Sequence, residues 1–184
     1  MTIKKIAVVG CGMMGRGIVE VAATAGIPVV AIKATPGDLS GPRTAIEKSF
    51  ARRVKKGKLS EEQCNQVLEL IEFSTDLEQV VSADLVIESA VEDETLKIDL
   101  LKRIEDCMQA EAVLCTNTSS LRLDVLARGL SRPEQFLGLH FFSPVPAMAL
   151  VELGSIDSTS PLAEQQAIEF CERIGKTAVG VKSS

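Results

Sequence analysis

Apolar residues run unbroken over 6–9, in the order Ile-Ala-Val-Val, until Gly10 ends the run. A short, mostly β-branched block of this kind predicts a strand buried on both faces. From Met13 small and apolar side chains continue through Ala25, Gly26 stops them, and a second apolar block follows over 29–32. That reads as strand, helix, strand. The alternation returns with a strand over 85–87, a helix over 95–108 and a strand over 112–115. A parallel sheet with helices on both faces is therefore expected. Between the two units, Ile46, Phe50 and Val54, then Val67, Leu68 and Leu70, mark two helices around Lys56-Gly57-Lys58, a helical hairpin projecting from the sheet over 41–70. Beyond Cys115 the pattern predicts a helix over 123–130, strands over 136–142 and 149–153, a helix over 161–174 and a last strand over 178–181.

Composition narrows the partners. A chain of 184 residues, 46% hydrophobic, buries one substantial core and is too short for two ordinary domains, so residues 1–184 are read as one domain. The net charge of -5 supplies no general basic field, and neither nucleic acid nor an anionic membrane is an expected partner. The five cysteines are an odd number, scattered and without a C-x-x-C pair, so no metal site is expected. Reduced thiols, an opening Met-Thr-Ile-Lys-Lys unlike a secretory signal, and no stretch approaching the roughly 20 apolar residues of a membrane helix lead to a cytoplasmic expectation.

Gly10-Cys11-Gly12-Met13-Met14-Gly15 is a G-x-G-x-x-G sequence placed after a strand and at a helix start. In that context Gly10 permits the tight turn, Gly12 lets the backbone approach a pyrophosphate and Gly15 packs helix on strand, while the helix N-terminus faces the phosphates. The chemistry points to a dinucleotide on a Rossmann-type, doubly wound α/β fold. At the end of the second strand, where an acidic residue would hold the adenosine ribose hydroxyls, stands Lys33. A lysine cannot accept those hydrogen bonds but can pair with a 2′-phosphate, which raises NADP beside NAD. The alternative is that Lys33 turns to solvent and Asp38 or the backbone serves the ribose.

The single histidine is His140, in Gly138-Leu139-His140-Phe141-Phe142-Ser143-Pro144. An enzyme that moves hydride from an alcohol needs a group to take the hydroxyl proton, and histidine suits neutral pH. The competing reading is a core histidine. Glu152 lies twelve positions on, and the prolines between them make a turn that brings 151–153 back beside His140, where a carboxylate would fix its tautomer. Thr116-Asn117-Thr118-Ser119-Ser120 follows a strand at the carboxyl edge of the sheet, as ligand contacts or as caps for the next helix.

These motifs, in this order and spacing, resemble the 3-hydroxyacyl-CoA dehydrogenases over essentially the whole chain: Gly10-x-Gly12-x-Met14-Gly15-x-Gly17-Ile18, Glu88-x-Ala90-Val91-Glu92 with Lys97, Asn117-Thr118-Ser119-Ser120, and His140-Phe141-Phe142 with Pro144-Val145-Pro146 and Val151-Glu152. The resemblance implies that His140 is the catalytic base, Glu152 its orienting carboxylate and Ser119 the hydroxyl at the reacting oxygen. It places Glu92 and Lys97 at the ribose and nicotinamide side of NAD, and Ser49 and Lys56 at the CoA portion of an acyl-CoA substrate. The basic residues Arg52, Arg53, Lys55, Lys56 and Lys58 then read as cations for the CoA phosphates rather than a solvated face. Two departures stand out: Ser143 replaces the family's asparagine after His-Phe-Phe, beside the nicotinamide region, and Lys33 replaces its acidic residue. The resemblance further implies that a C-terminal helical domain, absent from this chain, completes the active site and a homodimer.

The activity implied is reversible oxidation of L-3-hydroxyacyl-CoA to 3-oxoacyl-CoA in fatty-acid metabolism, with this chain as the cofactor-binding domain and inactive by itself. A cofactor-binding module without turnover and a CoA-independent sugar-acid dehydrogenase are the alternatives. The basic hairpin argues against the second.

Overall fold

The computed structural model describes residues 3–182 except residue 36. The predicted strand–helix–strand opening is present as β1 (Ile6–Val9), α1 (Met13–Thr24) and β2 (Val29–Ile32). Then come the two helices of the hairpin, α2 (Ser40–Lys55) and α3 (Glu61–Glu69), and a short strand β3 (Ile71–Ser74). The second unit is β4 (Leu85–Glu88), α4 (Glu94–Cys107) and β5 (Val113–Thr116). The chain closes with α5 (Leu123–Leu126), β6 (Phe136–Phe141), β7 (Leu150–Ser155), α6 (Pro161–Arg173) and β8 (Thr177–Lys182).

All eight strands form one sheet in the order β3-β2-β1-β4-β5-β6-β7-β8. Every neighbouring pair is parallel except β6 and β7, which run antiparallel. The strand order reverses between β1 and β4, so the carboxyl ends of these strands open on a crevice, the place where ligands bind in open α/β sheets.

Side chains alternate across the strands, and each face is covered. Ile6, Val8, Leu85 and Ile87 pack toward Ile18, Ala22, Phe50 and Phe170 of α1, α2 and α6. Ala7, Val9, Val86 and Leu114 pack toward Leu101 and Ile104 of α4 and Leu126 of α5. Both faces are apolar, which is why β1 and β4 carry continuous apolar runs.

Two expectations change. Strand β3 was not foreseen; it adds to the outer edge of β2 in register Val29 with Ile71. The helix expected over 123–130 is α-helical only in α5 and tightens to a 3₁₀ turn over Ala127–Gly129.

Candidate active site

The glycine loop joins β1 to α1 at the crevice. Gly10 has φ +119°, and a Cβ there would lie 2.3 Å from the Ser89 carbonyl oxygen, so only glycine fits. A Cβ on Gly15 would meet the Gly10 carbonyl oxygen at 1.8 Å, which shows how closely α1 turns back on the loop. Gly12, at the N-cap of α1, is different: a Cβ there meets nothing within 4 Å. The backbone at Gly12 therefore faces open space. No side chain caps α1 and no acid occupies its first turn, so its N–H groups and positive dipole are directed to that space.

The space is a cavity of about 800 Å³. Gly10, Gly12, Met14, Lys33, Glu92, Lys97, Asn117, Ser119, His140 and Ser143 all line it. Ten of the candidate residues are thus brought to one cleft, and Gly15 lies directly behind it.

At the far end of the cleft β6 pairs with β7 so that His140 stands opposite Glu152. Nδ1 of His140 lies 2.9 Å from Oε2 of Glu152. A carboxylate only accepts, so in the neutral ring the contact selects the tautomer with the proton on Nδ1 and the lone pair on Nε2. The ring also packs on Phe142, centroids 4.5 Å apart. Glu152 lines a smaller cavity of about 170 Å³ that His140 and Ser119 share.

The carboxyl ends of β4 and β5 are tied by a charged network. Lys97, 1% exposed, donates to both oxygens of Glu88, 0% exposed, at 2.7 and 2.9 Å. Glu88 also accepts from Thr116 Oγ1 at 2.6 Å and from the Ala90 amide at 2.6 Å. Lys97 reaches Glu92 at 3.5 Å. Glu92 in turn accepts from Thr118 Oγ1 at 2.6 Å, the Ser119 amide at 2.9 Å and Ser119 Oγ at 3.2 Å. Desolvation works to raise the Glu92 pKa, but these hydrogen bonds and the Lys97 charge outweigh it and hold it down at about 2. Ser119 and Ser120 do not cap α5, whose N-cap is Arg122; their hydroxyls go to Glu92. Asn117 braces the site, donating to Ser89 Oγ at 3.1 Å and accepting the Phe141 amide at 2.8 Å.

At the end of β2, the Lys33 ammonium reaches to within 2.9 Å of where a Cβ on Gly37 would stand. Asp38 instead binds the Ser40 amide and hydroxyl and does not line the cleft.

A second cavity, about 740 Å³, lies between α1, α2 and the turn after β6. Ser49 lines it together with the cations Arg16, Lys48, Arg52 and Lys55. Lys56 sits outside it, exposed at the C-cap of α2. Ser49 Oγ donates at 2.8 Å to Glu20, a carboxyl 8% exposed whose pKa burial raises despite that bond.

Glu88 escaped notice as a site residue although it closes an apolar strand, where a buried acid needs a partner. Lys97, nine positions on and four into a helix, is that partner. Among the described residues there is no cluster of three or more potential metal ligands, and no helix is long and apolar enough to cross a membrane.

A doubly wound sheet with a glycine loop, a cleft at its switch point and a histidine–carboxylate pair at the cleft's far end defines a dinucleotide-binding domain of the dehydrogenase kind. Residues 5–184 match the family model described as 3-hydroxyacyl-CoA dehydrogenase, NAD binding domain, and the chain belongs to that family. It is 40% identical over 173 residues to a probable 3-hydroxybutyryl-CoA dehydrogenase of Deinococcus radiodurans, covering 94% of this chain and 62% of that protein. It is 37% identical over 188 residues to the mitochondrial hydroxyacyl-coenzyme A dehydrogenase of Mus musculus, covering 99% and 60%. The crystal structure of FadB2 from M. tuberculosis superposes with a TM-score of 0.96 at 36% identity, over 100% of this chain and 65% of that one. The chain thus spans less than two thirds of the length of these relatives.

Proposed function

We propose that this domain binds NAD for the reversible oxidation of L-3-hydroxyacyl-CoA to 3-oxoacyl-CoA, a reaction of fatty-acid metabolism. The carrying observation is the His140–Glu152 pair, 2.9 Å apart, at the end of a cleft that begins at an open glycine loop. The open Gly12 backbone and the uncapped α1 N-terminus fit a pyrophosphate. When bound, NAD supplies the acceptor for the hydride leaving the substrate's C3. Nε2 of His140 takes the C3 hydroxyl proton as that hydride departs. Glu152 holds the ring in the tautomer that makes this possible and stabilises the imidazolium that results. Ser119, placed by Glu92, contacts the reacting oxygen, while Glu92, Lys97, Asn117 and Ser143 form the nicotinamide side. The cationic groove with Ser49 holds the CoA moiety; the groove's cations are Arg16, Lys48, Arg52 and Lys55, and Lys56, next to Lys55 in the chain but outside the groove, is proposed to reach the CoA from the end of α2.

A helical domain following residue 184 completes the acyl pocket and a homodimer in this reading, and the five free thiols suit the cytoplasm. In the enzyme so completed, 3-hydroxybutyryl-CoA and a sugar acid are compared as substrates with NAD. Turnover of the CoA ester alone is expected; turnover of the sugar acid alone would reject the CoA assignment.

Lys33 favours a second reading of the cofactor, NADP, because a cationic residue lines the cleft at the end of β2. Calorimetric titration with NADH and NADPH tests it. Tighter NADPH binding, reversed by Lys33→Asp, is the outcome that assigns Lys33 a 2′-phosphate; a clear NADH preference removes that role.

A further inference from the structure

Lys176, at the junction of α6 and β8, is a buried cation to which the reaction scheme gives no part. It is 7% exposed, and its ammonium donates to the carbonyl oxygens of Val145 at 2.7 Å and Met148 at 2.6 Å. No carboxylate among the described residues lies within ion-pair distance of it, and burial pushes its pKa down. An ammonium desolvated against neutral carbonyls is an expensive way to fill space, since an apolar chain of similar length would do so without the desolvation penalty. What the ammonium adds is direction: two N–H donors fix two carbonyls that stand three residues apart.

Those carbonyls belong to the turn that carries the chain from β6 to β7. Ser143, Pro144, Val145 and Pro146 of this turn form one wall of the cationic groove, and only Ser143 among them also reaches the cofactor cleft. Val145 presses on α1, where a Cβ on Gly17 would come 2.7 Å from the Val145 Cβ. The turn is therefore held between α1 on one side and Lys176 on the other. The Thr177 amide, next in sequence, donates to the Ala149 carbonyl at 2.8 Å and extends the same tie.

We infer that Lys176 is a positioning residue for the ligand of the cationic groove, acting through the Val145 and Met148 carbonyls to set the gap between the turn and the cations of α1 and α2. This rests on the assignment of that groove to CoA. The effect is selective by geometry, because the turn walls the groove with four residues and the cofactor cleft with two, Phe142 and Ser143, both of which precede the carbonyls that Lys176 holds.

The test is calorimetric titration of this chain with CoA and, separately, with NADH, comparing the unmodified protein with Lys176→Met and with Lys176→Gln. Loss of both charge-assisted bonds in Lys176→Met is expected to weaken CoA about tenfold. Lys176→Gln, which retains a shorter N–H donor, is expected to fall between, and it carries the test alone should the Met variant not fold. NADH affinity is expected to stay within about twofold in both, as the cleft keeps its other walls. A residue that only stabilised the fold would lower Tm and leave both affinities intact, because titration well below Tm reports folded molecules. Unchanged CoA affinity, or equal weakening of CoA and NADH, overturns the inference. An unmodified chain that binds NADH but not CoA overturns the groove's assignment and this inference with it.

Discussion

Replacing Lys97 by methionine keeps the length of the side chain and removes its charge, leaving Glu88 buried at 0% exposure without its counter-ion. Breaking one partner out of a buried ion pair typically costs about 3–5 kcal/mol. Glu88 would keep its bonds from Thr116 Oγ1 and the Ala90 amide, which places the expected cost near the lower bound, about 3 kcal/mol. For a domain of this size each kcal/mol lowers Tm by roughly 2–4 °C, so a fall of about 6–12 °C is expected by scanning calorimetry. Adding Glu88→Gln removes the stranded charge, and the double variant is expected to regain a good part of the loss. A loss below about 1 kcal/mol in Lys97→Met, or a double variant whose loss equals the sum of the two single losses, would refute the claim that the pair acts as one buried unit.

Two further outcomes follow from the same geometry. The Glu92 carboxyl, held at about 2 in the fold against an ordinary 4.5, contributes stability that is complete above pH 4.5 and disappears as pH falls toward 2. The full displacement would correspond to about 3 kcal/mol, but the side chain is 36% exposed and solvent screening reduces this to about 1 kcal/mol. Denaturation curves across that window are expected to show the loss, and Glu92→Gln is expected to flatten it; an identical acid dependence in the variant would contradict the assignment. Gly10→Ala forces a Cβ to 2.3 Å from a backbone oxygen at φ +119°, a strain of about 3 kcal/mol or more that is expected to abolish NADH binding or soluble folding. A variant that melts and binds NADH normally would show that the loop has another conformation.

Much of this was legible because the informative residues are local. The strand–turn–helix around Gly10 is a contiguous pattern, and the pairing of His140 with Glu152 follows from two apolar strands separated by a proline turn. Strand β3 was not legible: four residues, with Glu72 drawn to Lys5 and only Ile71 buried, carry little pattern of their own and become a strand by pairing with β2. Leu123, Leu126 and Leu130 keep helical spacing, yet the backbone tightens after Leu126, which side-chain pattern does not register. The polar run 116–120 admitted either ligand contacts or a helix cap, and long-range bonds donated by Thr118 and Ser119 to Glu92 decided against the cap. The clamp by Lys176 spans 28 and 31 residues and left no mark in any local motif.

The most direct test of the central claim follows the completed enzyme as it oxidises 3-hydroxybutyryl-CoA, with and without His140→Gln, and measures kcat and NADH affinity in both. If His140 is the base oriented by Glu152, kcat falls by about 10²–10⁴-fold while the NADH Kd stays within about twofold. A near-normal kcat in the variant would contradict the assignment.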